Sequence, residues 1–69
     1  GVVMFVNLLE VQPGQRIQLK NKSVVQVVEN LGDGIWVKGL FLESPQDPSL
    51  IGTEDLCYCE DILQVINPS

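Results

Sequence analysis

Alternation of apolar and polar residues is the strongest signal along this chain, and it predicts strands. In Gln15-Arg16-Ile17-Gln18-Leu19-Lys20 the two-residue period of a strand sends Ile17 and Leu19 to one face and Arg16, Gln18 and Lys20 to the other. A second strand, Val24 to Glu29, places Val25 and Val27 on one side and Val24, Gln26 and Val28 on the other. Its partner follows after Asn30-Leu31-Gly32-Asp33-Gly34, where Gly and Asn/Asp tolerate the positive φ of a tight reversal. In that third strand Ile35, Val37, Gly39 and Phe41 share one face, and Trp36, Lys38, Leu40 and Leu42 share the opposite one. The hairpin from Val24 to Glu43 is therefore apolar on both sides, more than one core can absorb. A glycine at position 39, within so long a strand, predicts a bend.

The remaining elements are shorter. Asp55 to Cys59 reads as a fourth strand, Glu60-Asp61-Ile62 as a one-turn connection and Leu63 to Ile66 as a closing strand. Ser44 to Thr53 holds Pro45, Pro48 and Gly52 and is a long loop, which Leu50 and Ile51 are expected to tuck down. Pro13-Gly14 is a turn, and Asn21-Lys22-Ser23 a short reversal. Residues 1–12 are expected to form an N-terminal arm packed on the body, with Met4 and Leu8, joined by Phe5 and Leu9, along one helical face; residues 13–69 form one β domain. Gly1-Val2-Val3 precedes the only methionine, Met4, and is expected to be a cloning remnant.

A chain of 69 residues buries only about 60% of the surface that it exposes when unfolded, so small domains usually need a staple. Two cysteines and no histidine supply neither a disulfide framework nor an ordinary metal site, which points to self-association. No apolar run approaches the ~20 residues of a membrane span, and no basic-then-apolar leader is present, so a cytoplasmic protein without a membrane partner is expected. The net charge of −5 is unevenly spread: Arg16, Lys20, Lys22 and Lys38 all precede residue 39, and only acids follow. Nucleic acid is thereby disfavoured as a partner, with Arg16, Lys20 and Lys22 left as a small basic patch.

Several residues invite chemistry. Cys57 and Cys59 face the same way on a strand, with Cα atoms roughly 6.6 Å apart, near the upper end for a disulfide. Buried, inert thiols are the better reading, against an intersubunit bridge or metal. Glu54-Asp55 and Glu60-Asp61 flank the fourth strand, but sequence neighbours there point to opposite faces, and no calcium-loop pattern accompanies them. Without histidine, Ser23, Ser44 and Ser49 lack the usual activating base, and there is no phosphate-cradling glycine loop. The reading is therefore of a non-enzymatic protein with no cofactor and no metal. Trp36 and Tyr58 fit either a core position or an aromatic platform. With Ile35, Val37 and Phe41 filling the core, Trp36, Leu40 and Leu42 form an outward patch suited to another protein surface, in the first place a second copy. Glu43, Asp47, Glu54, Asp55, Glu60 and Asp61 would supply an acidic rim for a further partner.

Five short strands with a bent central hairpin and a one-turn link before the last resemble the small SH3-like barrels over residues 13 to 66. Sm-like rings and KOW-type modules share this pattern, and the Sm-like resemblance would imply a nucleic-acid-binding ring resting on Arg16, Lys20, Lys22 and Lys38. The chain also looks broadly like the protomer of the type II dihydrofolate reductases, in which four copies build one pore. Gly14-Gln15-Arg16-Ile17 is similar to their first strand, and Leu63-Gln64-Val65-Ile66-Asn67 to their last. Where that family lines its pore with Val-Gln-Ile-Tyr, this chain has Leu56-Cys57-Tyr58-Cys59, and its acids would oppose an anionic cofactor. No site residue carries over.

Overall fold

The computed structural model describes residues 6–66. Its five strands are β1 (Arg16–Leu19), β2 (Val24–Asn30), β3 (Trp36–Glu43), β4 (Glu54–Tyr58) and β5 (Ile62–Ile66). They form one antiparallel sheet in the order β4-β3-β2-β1-β5, so the fold is all-β, as the alternation predicts, and β4 and β5 are its two edges. A short 3₁₀ turn at Leu8–Glu10 precedes β1, and two more, at Pro48–Leu50 and Cys59–Asp61, join β3 to β4 and β4 to β5. Among the described residues no helix is long and apolar enough to cross a membrane.

One face of the sheet builds the core. Register aligns Ile17 with Val25, Val25 with Phe41, Val27 with Gly39 and Val37 with Cys57, and all of these residues are buried. Leu19 and Ile62 close the other end, again as cross-strand partners. Each such aliphatic side chain contributes about 1.5–3 kcal/mol when removed from water. The N-terminal segment supplies part of this core, since Leu8 and Val11 are buried in it. Asn30 holds the segment in place by donating its side-chain amide to the carbonyls of Leu8 (2.7 Å) and Val11 (2.9 Å). Met4 and Phe5 lie outside the described residues, and Leu9, expected on the same face as Leu8, is exposed instead.

Turn chemistry follows the sequence closely. In the β2–β3 loop Gly32 and Gly34 take positive φ, and Asn30 Oδ1 accepts from the Gly32 N–H. Asp33 Oδ1 accepts from the N–H groups of Ile35 (2.8 Å) and Trp36 (3.0 Å), which aims the chain into β3. Between β1 and β2, Asn21 Oδ1 accepts from Ser23 N–H, and Lys22 holds a φ of 73°.

Three expectations need correction. Ile35 is 44% exposed, because the chain has not yet entered the ladder there and β3 begins at Trp36. Ile51 is 51% exposed: it ends the Pro48–Leu50 turn and points outward, while Leu50 alone packs against the core. Gly39 serves a close approach more than a bend within its own strand. A Cβ there would stand 2.0 Å from Val25 Cγ1, and the irregularity lies opposite it in β2, where Val28 is left without a β3 partner between Val27 and Glu29.

The outer face of β3 and β4 as a candidate functional site

The candidate surface is the face of the sheet that the core does not use. Antiparallel register places Trp36 opposite Tyr58, Lys38 opposite Leu56 and Leu40 opposite Glu54. Since opposed residues share a face, this one strand pair gathers two aromatics, two leucines and one charged pair. The Trp36 and Tyr58 rings lie 5.1 Å apart between centroids and are tilted by 51°, a favourable edge-leaning geometry. Trp36 is 36% exposed and Leu56 48%, whereas Leu40 and Leu42 are half-buried. Lys38 Nζ lies 3.4 Å from Glu54 Oε1, so the centre of the face carries compensated charge.

Trp36 and Tyr58 thus stand together on the outer face, Trp36 exposed and Tyr58 half-buried, and neither belongs to the core cluster. Their placement was available from alternation alone. Sending Cys57 inward already sends its neighbours Leu56 and Tyr58 outward, and Leu56 was the residue that sequence reasoning did not single out.

The acids separate into groups. Glu43, at the end of β3, and Glu54 and Asp55, at the start of β4, mark one end of that strand pair, with Asp47 capping the intervening turn at Ser49 N–H. Glu60 and Asp61 lie beyond the other end of β4, in the turn before β5. All six are exposed, but they do not form one continuous rim. Their field is still felt locally. The Tyr58 hydroxyl is pushed above its usual range, first by Glu60, then by Cys59 and Asp61. Asp33 is held below the usual carboxylate range, because the Trp36 and Ile35 N–H groups favour its ionised form.

The bases are dispersed as well. Arg16 starts β1 and Lys20 follows its end, while Lys22 sits in the hairpin turn and Lys38 faces Glu54. Lys20 lines a shallow cleft of about 660 Å³ together with Glu60 and Leu63, so both signs of charge border it. Arg16 borders a smaller cleft of about 300 Å³ with Gly14, Gln26 and Ile66.

The cysteines also differ from each other. Cys57 is buried and its thiol is pushed up to about 11, mainly by burial, with Asp55 and Asp61 adding to it; it is protonated at neutral pH and a poor nucleophile. Cys59 opens the 3₁₀ turn, is half-buried, and donates its N–H to the Ile35 carbonyl. Among the described residues no group of three or more His, Cys, Asp or Glu side chains is placed to hold a metal.

Ser23 and Ser44 are buried, with their hydroxyls 3.5 Å apart. They join the β1–β2 hairpin to the end of β3, a structural use that no local pattern announces. Compared with family models, with curated proteins and with solved structures, the chain finds no match in any of the three.

Proposed function

We propose that this chain is a small SH3-like barrel serving as a non-enzymatic protein-interaction module, and that its first partner is a second copy of itself. The observation that carries the reading is the apolar cluster of exposed Trp36 and Leu56 with half-buried Tyr58, continued by Leu40 and Leu42, on a face where the charges at the centre, Lys38 and Glu54, are paired. Aromatic residues surrounded by aliphatic ones are what the desolvated centre of a protein interface needs. Two chains of net charge −5 repel at long range, and this face is where they meet with least opposition, because Lys38 offsets Glu54 there. A two-fold arrangement lets the same patch cover its own copy.

Sedimentation at micromolar concentration tests the reading. A mass above 7.6 kDa in the native chain, lowered in Trp36→Ser or Leu56→Lys, is the expected result. A monomer in the native chain overturns it.

A further inference from the structure

The two edges of the sheet are not alike. β4 protects itself: Glu54 is drawn to Lys38, and the Leu56 N–H donates to Asp55 Oδ1 at 2.8 Å instead of waiting for another strand. Charge on an edge strand and occupied backbone donors are ways of preventing strand addition. β5 has neither. Its sequence, Ile62-Leu63-Gln64-Val65-Ile66, holds no charge and no proline. Among the described residues, β1 is the only strand with which it pairs. The one irregularity in that pairing, at Leu63, turns out an apolar side chain that is 49% exposed.

We propose that the open edge of β5 is a second interaction surface, and that its occupant is β5 of another copy, added antiparallel. An extended edge is satisfied by another extended strand, since only that offers matching N–H and C=O groups along its length. The described sheet has two edges, of which β4 carries charge and an occupied Leu56 N–H, so β5 meets β5. An antiparallel joint places no like charges opposite each other, because the strand has none, and it carries Glu60 and Asp61 of the two copies to opposite ends. A parallel joint would stack those four carboxylates side by side. The charge-free strand on an acidic chain is thus self-compatible in one orientation. This surface lies on the far edge of the sheet from β4 and stands independently of the sheet-face contact proposed above.

The two contacts are separated by sedimentation of the full chain as native, Leu63→Lys, Trp36→Ser and the double variant. Leu63 is half exposed, so a lysine there guards the edge without entering the core. Trp36→Ser is expected to remain a dimer and the double variant to be a monomer; Leu63→Lys alone is expected to lower the native mass. A monomer in Trp36→Ser alone, or an unchanged mass in Leu63→Lys, overturns the β5 joint while leaving the sheet-face contact to its own test. Amide exchange gives the second readout. Protection at those amides between Leu63 and Ile66 that point away from β1 is expected to fall about tenfold or more when the chain is diluted below its dissociation constant. Protection that does not depend on concentration overturns the joint, since it means the edge is covered within one chain.

Discussion

The outer face has two halves that share one core and differ in nearly everything else. Over β3 and β4 it is aromatic and aliphatic, with Trp36 on Tyr58 and Leu56 beside Lys38. Over β1 and β5 it is polar: Gln18 and Gln64 are cross-strand partners joined by a side-chain hydrogen bond of 2.6 Å, and Arg16 lies between Gln26 and Ile66. The edges reverse the pattern. The apolar half ends in the charged, self-blocked β4, and the polar half ends in the uncharged β5. Among the described residues, the first half presents an apolar side-chain face and the second an edge strand that pairs on one side only. A sheet can therefore control association separately through its face and through its edge, because side-chain chemistry governs one and strand-end chemistry the other.

The most damaging change should be one beneath both halves. Gly39→Ala would drive a Cβ into Val25, which is fully buried, and is expected to cost about 3 kcal/mol, as overpacking of a filled core does. Denaturant unfolding would measure it, and Val25→Ala in the same chain should return part of the loss. An unchanged midpoint in Gly39→Ala would mean that the two halves do not rest on a common rigid core.

Next comes the apolar half itself. Trp36→Ser should weaken the sheet-face contact by about 2 kcal/mol or more, near thirtyfold in dissociation constant, by sedimentation across a dilution series. A matching Gln18→Ala in the polar half should leave that constant unaltered. Equal effects from both would erase the distinction drawn between the halves.

Alkaline stability tests the inward side of β4. The Cys57 thiol is raised from 9.0 to about 11 in the fold, so the folded state holds its proton where the unfolded chain releases it. Its contribution is complete below pH 9 and is lost as pH rises towards 11, since the unfolded state binds fewer protons over that window. Thermal melts should show this decline in the native chain and a shallower one in Cys57→Ala. Identical slopes would place Cys57 in contact with water.

The polar half offers a smaller effect. Gln18→Ala, which removes the bond to Gln64, is expected to cost about 1 kcal/mol in chemical unfolding. Least of all is Glu54→Gln. Its exposed pair with Lys38 should be worth about 0.2–1 kcal/mol and fade with added salt.

Much of the architecture was legible before any coordinates. The alternation in Gln15 to Lys20 and in the Val24–Glu43 hairpin located β1, β2 and β3 to within a residue, because a pleated strand half-covered by water forces period two. Asn30, Gly32, Asp33 and Gly34 announced the turn through local hydrogen bonding and positive φ, both properties of a few adjacent residues. Ile35 and Ile51 escaped because each sits one residue outside its regular element, where period no longer dictates direction. Ser23 meeting Ser44, and Asn30 clamping Leu8 and Val11, join segments some twenty residues apart.

The sequence by itself determined that this is an all-β chain, where its strands and turns fall, and that its central hairpin is too apolar for one core. Only the tertiary structure decided which residues face each other across strands. It set Trp36 on Tyr58 and Leu56 on Lys38, and made β4 and β5 the two edges of the described sheet. The reason is physical: periodicity and turn propensity act between near neighbours along the chain, whereas register and strand order are settled by contacts that exist only once the whole sheet has closed on its core.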